Sequence, residues 1–141
     1  MSLYPETPGR AIVRAGWIAN VVFAVTAIPA ALGVDAMLDV AIGVSLVLFL
    51  IACGAFLYAF GVGIARSARG DNVAVANLFF LQGSAPRDVQ RTFIAMFVVC
   101  LVIAVATIVN EPFGILVPML PPGLAGVWAA RHGKFPPRAG R

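Results

Sequence analysis

Charged side chains are scarce in this sequence. Lysine, arginine, aspartate and glutamate make up 11% of the 141 residues, whereas a soluble domain carries roughly 25%. Apolar residues take their place, because 61% of the chain is hydrophobic and the mean hydropathy is +0.97. This balance is typical of an integral membrane protein, and the length suits one compact domain.

Residues for metal or redox chemistry are also few. The chain has two cysteines, Cys53 and Cys100, inside long apolar runs, and His132 is its single histidine. It contains no CxxC pair, no Cys/His cluster, and none of the HExxH, GxSxG or phosphate-loop motifs. The sequence therefore predicts no enzyme, no metal site and no cofactor, and it predicts inert buried thiols.

Carboxylates are missing from the apolar runs. A charge at the membrane centre costs roughly 2.5–3.5 kcal/mol on insertion scales, so a carboxylate retained there marks proton or ion coupling. Small four-helix drug exporters depend on such a glutamate, for which Asn20 is the nearest polar substitute here. Asp39 and Glu111 border the runs, where we expect them to be solvated. This pattern argues against proton-coupled transport.

Four charge-free runs organise the chain, at 15–34, 40–65, 92–110 and 112–130. At about 1.5 Å rise per residue, each can cross a hydrocarbon core of about 30 Å. With their flanks they predict spans at about 12–34, 39–66, 88–110 and 112–131. The predicted fold is all-α, a bundle of four transmembrane helices in a single domain covering 1–141.

The basic residues segregate to one side of these spans. They precede the first span, fill the connection between the second and third, and follow the fourth: Arg10, Arg14, Arg66, Arg69, Arg87, Arg91, Arg131, Lys134, Arg138 and Arg141. The other side carries only Asp35, Asp39 and Glu111. The positive-inside rule predicts a plasma (inner) membrane protein with both termini in the cytoplasm. This one-sided distribution of basic residues also explains the net charge of +4, so the charge does not indicate binding to nucleic acid.

A cleavable signal peptide is the competing interpretation of the first span. Pro5 and Pro8 precede an apolar run longer than the usual signal core, and no A-x-A site follows it. A retained first span is therefore predicted.

The connection at 67–87 is long enough to carry structure of its own. Gly70 and Gly83 bound its apolar part, 72–82, for which we predict a short helix in the membrane interface with its phenylalanines toward lipid. A loop packed across the mouth of the bundle is the alternative. The tail, 134–141, is predicted to be flexible.

Three prolines interrupt the fourth span. Pro118, Pro121 and Pro122 each remove an N–H and collide with the preceding turn, at about 3 kcal/mol in a helix interior. They predict a helix broken between Pro118 and Gly123, with freed carbonyls facing other helices, water or a cavity. A packing break is favoured over a transport site, because polar residues in the spans are few and scattered.

Two further sets of residues are candidates for contacts. Ala55, Ala59 and Gly63 recur every four residues, which allows close helix packing within the bundle or, alternatively, between copies of the chain. Arg87 and Arg91 lie four residues apart at headgroup level, where they orient the third span or, alternatively, bind lipid headgroups.

Two blocks resemble those of small multi-pass membrane proteins of actinobacteria, a set without known activity. They are "NLFFLQGSAPRDVQRTF" (77–93) and "GILVPMLPPGLAGVWAARHGKFPPR" (114–138), about a third of the chain. The resemblance implies a membrane location and a bacterial source, and it carries no site residues.

The expected function is that of an accessory or scaffold subunit that acts through helix packing. Its partners would be membrane lipids and other membrane proteins or a second copy of itself, with no nucleic acid and no metal. The alternative is a transporter or channel component with its site at the broken fourth helix.

Overall fold

A computed structural model describes residues 9–137, which are helical throughout the spans and contain no strand. Its elements are α1 (Arg10–Ala31), α2 (Asp35–Ala68), the single turn α3 (Val75–Leu78), α4 (Arg87–Thr107), a 3-10 helix (Pro112–Met119) and α5 (Leu120–His132). The 3-10 helix and α5 follow one another directly and together form the fourth span. Four helices are thus long and apolar enough to cross a membrane, which confirms the all-helical, multi-pass architecture.

The fourth span lies at the centre of the bundle. In its most apolar stretch 61% of the residues are buried, against 22% for α2, and α5 contacts α1, α2 and α4. Its small residues make this possible, since a Cβ at Gly126 would come within 2.9 Å of the Ala59 Cβ. The glycine- and alanine-rich composition of this span follows from that close approach.

Two apolar clusters fill the interior, one toward each end. Trp128, Phe79 and Met96 belong to the cluster at the end where the described chain begins and finishes, and Phe23 and Leu120 belong to the other. The outer surface is apolar as well, with exposed residues such as Val21, Leu50, Leu57, Val102 and Val105. A surface of this kind is suited to contact with the lipid chains of a membrane.

The turn between the first two spans is shorter than predicted. Helix α2 begins at Asp35, four residues before the predicted start, so Asp39 lies within the helix. Gly33 makes the turn with φ +94°, a conformation that favours glycine. Asp35 then occupies the first turn of α2, where its charge complements the helix dipole.

The connection between α2 and α4 is a packed loop, and the longer helix predicted for 72–82 is absent. Its only helical turn is α3, and Leu78, Phe79 and Leu81 are buried against the bundle. The ring centroids of Phe79 and Phe56 lie 4.7 Å apart, while Phe80 stays exposed. Burying Leu78, Phe79 and Leu81 in the core was more favourable here than forming an amphipathic helix at the membrane surface.

The segment 134–137, the described part of the tail for which flexibility is predicted, is hydrogen-bonded to the connecting loop. The backbone N–H of Lys134 donates to the carbonyl of Ser84 at 2.9 Å. The N–H of Asn72 donates to the carbonyl of Pro136 at 2.8 Å. These bonds attach the segment to the connecting loop, and 138–141 lie outside the described residues.

Candidate functional site

A carboxyl group is buried where the fourth span begins. Glu111 has no exposed surface, although the sequence placed it among solvated acids. The Ser45 hydroxyl of α2 donates to Glu111 Oε2 at 3.0 Å, and Oε1 has no hydrogen-bond partner among residues 9–137. The expectation that Glu111 is solvated is therefore wrong.

Local backbone geometry turns the Glu111 side chain inward. Its N–H donates to the carbonyl of Thr107 at 2.9 Å, which closes the turn after α4. Its φ of −133° and ψ of 80° lie outside the helical region, which a residue before proline avoids. Gly114 provides the space, because a Cβ there would lie 2.7 Å from Glu111 Oε2 and 3.0 Å from the ring of Phe23.

Among the described residues, no positive charge is paired with the Glu111 carboxyl. The ion pair between Arg66 and Asp71 lies at the other end of the bundle. Burial raises the pKa of Glu111 above its ordinary value, while the Ser45 hydroxyl and the backbone of Phe113 and Gly114 act in the opposite direction. Among residues 9–137, no three potential metal-ligating acids, histidines or cysteines come together. The arrangement is suited to holding a proton.

One signal in the sequence could have revealed this site. Glu111 is the single charge between two apolar runs of 19 residues each. A connection this short, with proline directly after the acid, gives the side chain little room to leave the bundle. Which hydroxyl it meets depends on how α2 packs against the fourth span, and no local pattern contains that information.

The proline-rich stretch is a change of helix type without an unwound break. Met119 and Leu120, where the 3-10 helix passes into α5, both have helical angles (φ/ψ −66°/−24° and −66°/−49°). Pro121 and Pro122 fall in the first turn of α5, a place in a helix at which proline is tolerated. Pro118 lies within the eight-residue 3-10 helix, which is longer than such helices usually are.

A small apolar cavity of about 40 Å³ lies beside the prolines. Pro121 and Pro122 line it together with the rings of Phe93 and Phe97. Among the described residues that line it, Gln90 alone has a polar side chain, and its amide donates to the carbonyl of Phe80 at 3.2 Å. A hydrophilic solute would lose its hydrogen bonds here, so this cavity is a poor transport site.

The predicted small-residue set of α2 faces the inside of the bundle. A Cβ at Gly123 would lie 3.3 Å from the Ala55 Cβ, and one at Gly63 would lie 3.1 Å from the side chain of Leu78. Ala59 packs against Gly126 in the same way. The set packs within the chain, against α5 and the connecting loop.

Three other glycines of α2, which the periodic pattern did not predict as a contact face, point outward. Gly43, Gly54 and Gly61 are exposed, and a Cβ at each would meet nothing within 4 Å. At 3.6 residues per turn, spacings of 11 and 7 residues bring them within about 20° of one another. They mark one outer face of α2 over 18 residues, a length of about 27 Å. We call this the glycine face.

Arg66 joins several segments at the end of the bundle opposite Glu111. Its Nε bonds Asp71 Oδ2 at 2.9 Å, and its Nη1 donates to the carbonyl of Gly133 at 2.8 Å. The guanidinium also lies 4.5 Å from the ring centroid of Phe135. A polar groove of about 410 Å³ lies beside it, with Arg69 among its basic lining residues.

The remaining sequence candidates have simpler surroundings. Arg87 and Arg91 are exposed on the first turns of α4. The Asn20 amide donates to the carbonyl of Met96 at 3.0 Å, so it joins α1 to α4. Cys53 is partly buried and Cys100 is buried, and both are free thiols.

Comparisons with protein-family models, with curated proteins and with solved structures found no match for this chain.

Proposed function

We propose that this protein is an accessory or scaffold subunit of the plasma (inner) membrane that acts without enzymatic chemistry, through helix packing. The glycine face of α2 is its docking surface, and the occupant is a helix of a second copy or of another membrane protein. Lipids cover the rest of the outer surface.

The alignment of Gly43, Gly54 and Gly61 is the observation that supports this function. Glycine in a helix interior is less favourable than alanine by about 1 kcal/mol, and these three glycines make no contact within the chain that would require them. Small residues on an outer helix face allow a second backbone to approach closely, with van der Waals packing as the driving force. A docking helix explains all three positions at once.

Changing the glycine face tests the proposal directly. The double variant Gly54→Leu, Gly61→Leu places two large side chains on this face, and Ala106→Leu is the matched control because Ala106 is exposed on α4. The readout is the stoichiometry of the labelled protein in native membranes, measured by single-molecule photobleaching and by crosslinking. We expect the double variant to lose the complex and Ala106→Leu to retain it. A wild-type chain that remains a monomer without a crosslinked partner would refute the proposal.

We further propose that both chain termini face the cytoplasm. The grouping of Arg66, Arg87 and Arg131 at one end of the bundle, with Asp35 and Asp39 at the other, supports this orientation through the positive-inside rule. In a cysteine-free background, Lys134→Cys should resist an impermeant maleimide added to intact cells, and Asp39→Cys should react. The reverse labelling pattern would invert the orientation.

A transporter or channel component is the second candidate, and the buried Glu111 is the observation that favours it. The site of such a component would lie at Glu111 rather than at the prolines, whose cavity is apolar. Ion flux through liposomes containing the purified protein, abolished by Glu111→Gln, would promote this candidate over the packing function.

A further inference from the structure

The Glu111 side chain lies among groups from three elements. The hydroxyl of Ser45 in α2 donates to it. Gly114 in the 3-10 helix supplies the space, where a Cβ would lie 2.7 Å from Glu111 Oε2 and 3.0 Å from the ring of Phe23 in α1. Of the two carboxyl oxygens, only Oε2 has a hydrogen-bond partner among the described residues. Burying a carboxylate with one unpartnered oxygen costs free energy, because its negative charge is not compensated. Adding a proton removes the charge and therefore this cost.

We propose that Glu111 and Ser45 form a proton-binding site, which exchanges protons with the solution on the side of the membrane opposite the described chain ends. In the loaded state the carboxyl is neutral and Oε1 carries the proton, while Oε2 accepts the hydrogen bond from Ser45. In the unloaded state the proton has left to the solution, and Ser45 is the one side-chain donor that remains on the carboxylate.

The available ligands favour a proton over a metal ion. A hard cation such as Ca²⁺ takes about six to eight oxygen ligands. Glu111 and Ser45 together bring three side-chain oxygens, and the ring of Phe23, which lies at the same space beside Gly114, is apolar. A proton needs only one oxygen.

The titratable groups on the surrounding elements are few. Helix α1 has none between Arg14 and its end, and the fourth span has none from Pro112 to Ala130. Asp35 and Asp39 of α2 are exposed. Helix α4 contributes the buried thiol of Cys100, seven residues before Thr107. Among residues 9–137, Glu111 is therefore the only carboxyl in this part of the interior, and its titration can be observed separately from that of the exposed acids.

The route for the proton is short. The residues on both sides of Glu111 in the sequence, Asn110 and Pro112, are exposed at this end of the bundle. A small opening of the turn between α4 and the 3-10 helix is enough to bring water to the carboxyl.

Infrared difference spectroscopy over a pH titration tests the proposal on the full chain in lipid nanodiscs. The wild type should show a protonated-carboxyl C=O band that disappears with a midpoint above the ordinary glutamate value of 4.5. Glu111→Gln should lose this band, and Asp39→Asn should keep it.

A second variant gives the test independent support. Ser45→Ala removes a hydroxyl that favours the charged form, so the midpoint of the same band should move upward. A band that bleaches at the pH of the exposed acids, or that survives in Glu111→Gln, overturns the proposal, as does an unchanged midpoint in Ser45→Ala. Nanodiscs holding single copies make the result independent of the helix-packing function.

Discussion

Replacing Gly126 by alanine sets two physical effects against each other. Alanine is the better helix former by about 1 kcal/mol, so the helix itself would gain stability. However, the new Cβ would lie 2.6 Å from a ring carbon of Phe79 and 2.9 Å from the Ala59 Cβ. The Phe79 ring can rotate away, but a methyl group on α2 can move only with its backbone. Overpacking of this kind typically costs 1–3 kcal/mol, so we expect net destabilisation by up to about 2 kcal/mol.

Gly61→Ala is the matched control, because it makes the same substitution in a helix where nothing lies within 4 Å. Only the propensity effect operates there, so the variant should gain up to about 1 kcal/mol. Both free energies of unfolding can be measured in single-copy nanodiscs by steric trapping. If Gly126→Ala proved as stable as Gly61→Ala, the close packing of α5 against α2 would be refuted.

Three further predictions concern other parts of the bundle. The folded protein holds the Glu111 proton more tightly than the unfolded chain, so the stabilisation of the fold by this proton is complete below pH 4.5 and declines as the pH rises toward the folded pKa. The thermal stability of Glu111→Gln should lack this decline, and parallel curves of stability against pH for the two proteins would contradict the prediction. Arg66→Ala should lower the free energy of unfolding by about 1–3 kcal/mol and speed hydrogen exchange around Gly133, because the charged hydrogen bonds to Asp71 and to the Gly133 carbonyl are lost. Unchanged exchange would show that Arg66 does not hold these two segments together. Pro122→Ala should cost less than about 1 kcal/mol in an SDS unfolding titration, because Pro122 lies in the first turn of α5, where proline is tolerated. Val127→Pro, in the interior of α5, should cost about 3 kcal/mol. Equal losses would contradict the first-turn placement.

The number and length of the spans could be predicted because the bilayer imposes them locally. Any chain segment crossing lipid must satisfy its own backbone hydrogen bonds and present apolar side chains, so charge-free runs of about 20 residues mark the helices. The prolines were harder to interpret. The cost of proline depends on whether its position lies in a first turn or in a helix interior, and that depends on where the 3-10 helix gives way to α5.

The two small-residue sets of α2 show the limit of a periodic pattern. Ala55, Ala59 and Gly63 share one face and the glycine face is another, and both spacings are compatible with helix packing. Only the position of the fourth span decides that the first set is used inside the chain, while the glycines remain open to a partner.

The sequence by itself determined that the protein is suited to a lipid bilayer, that it has four long helices, and that charge is separated between their ends. Each of these features depends on residues close together in the chain. The tertiary structure alone decided that the connecting loop packs into the bundle, that the fourth span is central, and that Glu111 meets Ser45. Those outcomes depend on contacts between residues far apart in the chain, such as Ser45 and Glu111, which are 66 positions apart. A carboxyl at the end of an apolar run becomes a buried proton-holding group only when neighbouring helices close around it.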